Sequence, residues 1–313
     1  MNSTGLGVSV SASQTMKRNG KSFWFASIFL PKVTALAAAR LYWFCRTMDD
    51  LADTAATREN QEALAIVREH LRQGETSQPL AADFLALVRQ YDLSLDVADH
   101  LIATFLEDAT TKLHVEDERQ LVCYCYGVAG TVGLLMMPIL GAAGPDARRA
   151  AMHLGIAMQM TNIARDVLED AQNGRRYLPG CWVNGLRAHE IESGLVAREL
   201  IAQAVARLLG LADLYYDSAA IGFALLPPNT RKGIEIAATV YREIGVTLRR
   251  RHLTWWQGRV SISRQRKLWL AAKVYLRWSS LDLALGPGSR RAESLQHDVE
   301  QLSLPLAGLP GVP

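Results

Sequence analysis

From Leu154 to Asp170 the chain reads LGIAMQMTNIARDVLED, and this segment limits the fold more than any other. At 3.6 residues per turn, Gly155, Gln159, Asn162, Asp166 and Asp170 fall on one helical face. Most remaining positions are apolar, among them Leu154, Ile156, Met158, Met160, Ile163 and Val167. A helix apolar on all sides but one is buried, so its polar stripe faces a polar cavity rather than bulk water. Other helices must surround it, and the rest of the chain supplies them. Apolar residues recur at three and four, as in Leu64, Val67, Leu71 and in Leu80, Phe84, Leu87. Pro31, Pro79, Pro145, Pro179 and the pair Pro227-Pro228 fall between such segments, where helices break. Strand alternation is scarce. The expected fold is an all-α bundle in one domain over residues 20–285, behind a loose leader at 1–19. The Pro- and Gly-rich stretch 286–313 reads as a mostly disordered tail.

Composition narrows the function classes. A chain of 313 residues buries enough surface to fold without a disulfide or metal staple. Its net charge of +3, from 34 basic and 31 acidic residues, is too balanced to imply nucleic acid. Cys45, Cys123, Cys125 and Cys181 fit no zinc spacing and read as reduced core thiols of a cytoplasmic protein. No signal-peptide pattern opens the sequence. Leu121–Pro145 carries no charged residue and is long enough to span a bilayer, but Gly127, Gly130, Gly133, Pro138, Gly141 and Gly144 interrupt it. It reads as a buried core helix, with membrane insertion as the alternative.

A second stripe matches the first. In TALAAARLYWFCRTMDDLAD, Tyr42, Arg46, Asp49 and Asp53 share a helical face. Carboxylates at i and i+4 repel, and burial raises the cost unless a cation lies between them. Two such pairs on two apolar helices, each with an arginine nearby (Arg46, Arg165), read as two walls of a metal site. Oxygen ligands suit Mg²⁺ bridging carboxylates to substrate phosphates, with Mn²⁺ as an alternative occupant. The implied chemistry is metal-assisted departure of a diphosphate from a hydrocarbon. The carbocation left behind must be kept from water. Tyr42, Phe23, Tyr124 and Tyr241 are candidate aromatic stabilisers.

These segments resemble the squalene/phytoene synthase family of head-to-head prenyl synthases. The landmarks are GKSFWFAS, YWFCRTMDDLAD, YCYGVAGTVG and QMTNIARDVLEDAQNGRRYLP, with TVYREIG and GRVSISRQRK as weaker ones. The resemblance covers about Gly20 to Leu285. It implies an isoprenoid synthase-like helical bundle around a central apolar cavity. It places Mg²⁺ on Asp49, Asp53, Asp166 and Asp170 with help from Asn162. It puts Arg46, Arg165 and Tyr241 on diphosphate, and Ser22, Phe23, Gln159 and Tyr177 along the substrate sites. Tyr42 and Tyr124 lie where the family stabilises cations or handles proton loss.

The reaction so implied joins two prenyl diphosphates through a cyclopropyl diphosphate into a linear hydrocarbon. Relatives that make C30 products carry bulky aromatics at the positions of Ser27 and Ala39. Both are small here, which favours two C20 substrates, a C40 phytoene product and no NADPH. A C30 synthase is the alternative within enzymes, and a non-catalytic helical assembly protein is the alternative outside them. The basic run from Arg249 to Lys267, interleaved with Trp255 and Trp256, reads as a solvated helix end and loop. Peripheral membrane contact through it stays open, as does, more distantly, nucleic acid. Oligomeric state is not legible.

Overall fold

The computed structural model describes residues 12–53, 57–111, 114–194, 198–281 and 301–313, with the side chains of residues 53, 110, 111 and 279–281 excepted. Among the described residues the architecture is all-α, with no strand beyond a bridge between His114 and Arg176. Helix α1 covers residues 12–19. It is followed by α2 (Lys21–Ser27), α3 (Lys32–Asp53), α4 (Arg58–Gln73), α5 (Pro79–Tyr91) and α6 (Leu95–Thr111). Then come α7 (Glu118–Cys125), α8 (Thr131–Ile139), α9 (Pro145–Gln172) and α10 (Ala188–Glu192). The last are α11 (Arg198–Ala220), α12 (Pro228–Arg250) and α13 (Arg264–Leu281).

Local chemistry sets these boundaries. Proline opens α5, α9 and α12, where its missing N–H costs nothing. Asp117 caps α7 by accepting from the Gln120 amide at 2.8 Å. Gly74, at φ +74°, closes α4 in the left-handed conformation.

Helix α9 is the centre of the bundle and packs on α8, α11 and α12. The apolar character read from its sequence is used: Met152, Ile156, Met160, Ile163 and Ala164 are all buried. Two glycines let its backbone approach the neighbouring segment closely. A Cβ on Gly155 would lie 2.1 Å from the Ala129 carbonyl oxygen, and one on Gly133 would lie 2.1 Å from that of Ala151. The stretch Glu118–Ile139 passes from α7 through a single π turn at Tyr126–Gly130 into α8, and continues past Pro138. It and Arg198–Leu225 are long and apolar enough to cross a bilayer, yet both pack against α9. The core-helix reading of Leu121–Pro145 matches that packing.

Two boundaries differ from the sequence reading, and so does one cysteine. Residues 12–19 form a helix rather than a loose leader, with Ala12 and Met16 buried in a cluster with Ala39. Residues 301–313 pack on the bundle instead of forming a free tail. Leu306 is buried, and the carbonyls of Leu302, Pro305 and Pro310 accept hydrogen bonds from Tyr215, Cys123 and Tyr126. The prolines there shape turns, and the intervening leucines supply apolar surface to bury. Residues 1–11 and 286–300 lie outside the described residues. Cys181 is exposed, unlike the core thiol expected; Cys45 and Cys125 are buried.

Candidate active site

The wall helices α3, α9 and α12, with α2 and the α7–α8 segment, enclose a cavity of about 390 Å³. Along each wall helix the lining changes from small and apolar to polar. On α3 it runs from Ala38 through Tyr42 and Cys45 to Arg46 and Asp49. On α9 it runs from Ala147 through Leu154 and Met158 to Gln159, Asn162 and Arg165. On α12 it runs from Gly233 through Ile234 and Ala237 to Tyr241. The cavity therefore has an apolar end and a polar end, as a diphosphate with a hydrocarbon tail requires.

Arg46 organises the α3 side of the polar end. Its Nη1 donates to Asp49 Oδ2 at 2.8 Å, and its Nη2 lies 2.5 Å from Asp50 Oδ1. Burial opposes its charge, but Asp49 and Asp50 outweigh burial and raise its pKa. Its buried Nε has no partner among the described residues. The side chain of Asp53 lies outside the described residues.

The α9 side is arranged differently. Asp166 is not among the cavity-lining residues and is held by two guanidiniums that are. Arg165 Nε donates to it at 2.8 Å, and Arg259 Nε lies 3.0 Å from it. Asp170 borders a small neighbouring pocket with Arg175 and Tyr177. Asn162 faces the cavity, and its buried Oδ1 accepts no hydrogen bond from the described residues. A buried acceptor left over in this way fits a cation or a donor from a ligand. Among the described residues, no three His, Cys, Asp or Glu side chains converge on one point.

Aromatic rings follow this polar end. Phe23 lies 4.9 Å from Tyr241 and 6.0 Å from Tyr42, centroid to centroid. Gly20 makes room for this group, since a Cβ there would lie 2.9 Å from the Tyr42 ring. Burial, then Tyr241, pushes the Tyr42 phenol above its ordinary pKa, so it stays neutral. Tyr124 lines the cavity and stacks at 4.8 Å on Tyr177, which lies behind it. Both hydroxyls donate to Asp108 Oδ2, at 3.3 Å from Tyr124 and 3.2 Å from Tyr177. Burial, then Tyr177 and Asp108, holds the Tyr124 phenol well above its usual pKa.

The structure thus gathers Phe23, Ser27, Tyr42, Arg46, Asp49, Tyr124, Gln159, Asn162, Arg165 and Tyr241 around one space. Five expected positions stand outside the lining, Asp170 of the neighbouring pocket among them. Ala39 packs on Ala12 and Met16, and Ala38 is the small α3 residue that faces the cavity. Ser22 accepts from Lys267 Nζ at 3.2 Å, and Tyr177 is covered by Tyr124. Asp166 is drawn to its arginines.

Three residues escaped the sequence reading. Arg259, taken there as part of a solvated basic run, lines the cavity and pairs with Asp166. Arg175 Nη2 donates to the Ala52 carbonyl at 3.2 Å and so ties the end of the second acidic motif to the end of the first. Asp108 had a signal. It lies at +7 from Leu101 and +3 from Phe105, on the buried face of α6, where a carboxylate is costly unless paired.

A family model described as squalene/phytoene synthase matches residues 16–266. The chain belongs to that family. A 15-cis-phytoene synthase from Pantoea ananas is 34% identical over 275 residues, which cover 83% of this chain and 88% of that one. A 4,4'-diapophytoene synthase from Staphylococcus haemolyticus is 33% identical over 246 residues, 76% of this chain and 86% of that one. Among solved structures, a dehydrosqualene synthase in complex with ligand superposes with a TM-score of 0.79 at 28% identity, covering 88% of this chain and 98% of the other. The family and the all-α isoprenoid synthase fold expected from the motifs are both met.

Proposed function

We propose that this chain is a phytoene synthase, a prenyltransferase that condenses two C20 allylic diphosphates head to head into a C40 hydrocarbon. The observation that carries the reading is a cavity with a polar end of Arg46, Asp49, Asn162 and Arg165 and an apolar end. Phytoene synthases at 32–34% identity over most of the chain support it.

In this reading Arg46, Arg165 and Arg259 hold the diphosphates and take up negative charge as the first allylic C–O bond breaks. Asp49, Asn162 and the flanking Asp53, Asp166 and Asp170 are oxygen donors suited to Mg²⁺ or Mn²⁺. When bound, such an ion supplies further charge neutralisation for the departing diphosphate. The apolar walls keep water from the cation, which the double bond of the second substrate captures. Proton loss closes the cyclopropane. Departure of the second diphosphate, rearrangement and a second proton loss then give the linear product. Phe23, Tyr42, Tyr124 and Tyr241 present their rings to these cations. Asp108 draws the Tyr124 O–H proton toward itself, which leaves the hydroxyl lone pairs directed elsewhere.

A C30 product is the second reading. It is favoured by the diapophytoene synthase and dehydrosqualene synthase likenesses. The position of Ala39 also removes one of the two residues on which the C40 argument rests. The deciding experiment incubates the purified protein and Mg²⁺ with C15 or C20 diphosphate, each with and without NADPH, and identifies products by mass. A C40 product from the C20 tube without NADPH sustains the first reading. A C30 product confined to the C15 tube replaces it with the second, and no product in any tube removes both.

A further inference from the structure

Helix α13 is apolar on two opposite sides. Leu270, Ala271 and Val274 are buried, and the helix packs on α12. The opposite arc carries Leu268, Trp269, Tyr275 and Leu276, which are 58, 48, 53 and 66% exposed. At 100° per residue these four and Ala272 span about a third of the helix circumference, with the exposed Gln265 of the first turn as a polar residue inside the arc. A surface helix in water ordinarily turns polar residues outward, so this arc is out of place for a solvated face.

Its borders are cationic. Arg264 flanks the arc on one side, and Arg266, Lys273 and Arg277 flank it on the other. The helix has no acidic residue. Arg266 and Arg277 are partly neutralised by Glu243 and Glu235 of α12, whereas Arg264 and Lys273 extend from the exposed rim. Arg266 and Lys273 also lie over the Trp269 ring, at 4.2 and 4.6 Å from its centroid. Lys232 of α12 lies over Tyr275 at 4.3 Å and adds a further positive charge beside the arc.

An outward stripe of Leu, Trp and Tyr edged by Arg and Lys is the pattern of a helix lying in a membrane interface. The apolar residues enter the boundary of the acyl chains while the cations meet anionic headgroups. We propose that the outer face of α13 docks the protein on an anionic lipid bilayer. The other side of α12 is cavity wall, through Gly233, Ile234, Ala237 and Tyr241, so one helix layer separates this face from the cavity. The surface argument stands on α13 alone; the proposed lipid substrate only supplies a reason for such docking.

The test is co-sedimentation of the full chain with vesicles of phosphatidylcholine and phosphatidylglycerol in equal parts, against phosphatidylcholine alone. The wild type is expected to sediment with the anionic vesicles, and added salt to weaken it several-fold. The double variant Leu268→Ser/Leu276→Ser should lose at least about tenfold in vesicle affinity. Its melting temperature and its turnover of detergent-dispersed substrate should stay at wild-type values. Quenching of tryptophan emission by brominated lipid should drop in Trp269→Phe. Wild-type protein that stays in the supernatant, or a double variant that sediments as well as wild type, overturns the proposal. So does a wild-type dimer that the double variant converts to monomer, since the stripe would then face a second copy. Sedimentation needs no turnover, so its failure leaves the reaction assignment untouched.

Discussion

Helices α3 and α9 carry nearly the same polar pattern, an arginine and two aspartates four residues apart, yet the structure treats them differently. On α3, Asp49 shares one guanidinium with Asp50, and its side chain is 37% exposed. On α9, Asp166 is 13% exposed and held between Arg165 and Arg259. The first carboxylate is partly exposed and paired with one guanidinium; the second is largely buried between two. A bound metal would compete with one guanidinium at the first and with two at the second.

This difference sets the largest expected effects. Asp49→Asn should cut turnover by about a thousandfold or more and leave the melting temperature within a few degrees, because a partly exposed pair contributes little to stability. Asp166→Asn should cut turnover comparably and also destabilise the fold by about 2 kcal/mol, since it leaves two guanidiniums facing each other with less compensation. Chelation by EDTA should abolish turnover of the wild type. Steady-state rates with thermal melts of both variants check the pair. Equal stability losses would erase the distinction, and full metal-dependent activity in either would remove that helix from the site.

The next effect concerns the Asp108 carboxylate, which neither helix carries. Asp108→Asn and Tyr124→Phe should each lower turnover by about a hundredfold, and the double variant should be little worse than either single one. Additive losses would mean that Asp108 acts apart from Tyr124. Single-turnover rates with preformed cyclopropyl diphosphate locate the defect in the second half of the reaction.

The contrast between the helices also shows what a sequence reveals. The burial of α9 was legible because Leu154–Asp170 is apolar on every side but one. The direction of each polar side chain was not. Asp166 shares a face with Asn162 by helical arithmetic, yet it is paired with an adjacent arginine and with one from a distant loop. Arg259 was illegible for the same reason, since nothing local marks a loop arginine as the partner of a carboxylate 93 residues earlier. Ala39 was assigned to the cavity one position too far round α3. A helix turns 100° per residue, so neighbours such as Ala38 and Ala39 face different structures. The packing of residues 301–313 was hidden because proline and glycine mark turns and disorder alike.

That one-residue shift gives a smaller, sharper test. Ser27 lines the cavity, with its Oγ donating to the Trp24 carbonyl at 2.8 Å. Ser27→Phe should shift the ratio of C40 to C30 product toward C30 by about tenfold if volume at this position sets chain length. Ala39→Phe should leave that ratio unchanged and cost about 1–3 kcal/mol of stability by overfilling the contact with α1. Product mass ratios and urea melts separate the two. A product shift from Ala39→Phe would mean that α1 moves aside and that the cavity wall is softer than it looks.

The last effect, seen only on acidification, lies at the other end of α9. His153 is buried, with its ring nitrogens 2.7 Å from Ser218 Oγ and 3.0 Å from Ser303 Oγ, so it joins α9, α11 and the C-terminal segment. Burial, with Arg149 adding to it, lowers its pKa from 6.5 to about 3. The native ring is therefore neutral where the unfolded ring takes a proton. Its contribution to stability is complete above pH 6.5 and is lost as pH falls from there toward 3, by at most about 1.4 kcal/mol per pH unit. His153→Gln should lower stability at pH 7 but flatten that part of the acid slope. Urea melts of both proteins between pH 7 and pH 4.5 isolate the difference, because every other titrating group is common to them. Parallel slopes would show that the ring titrates in the folded state as it does in the unfolded one.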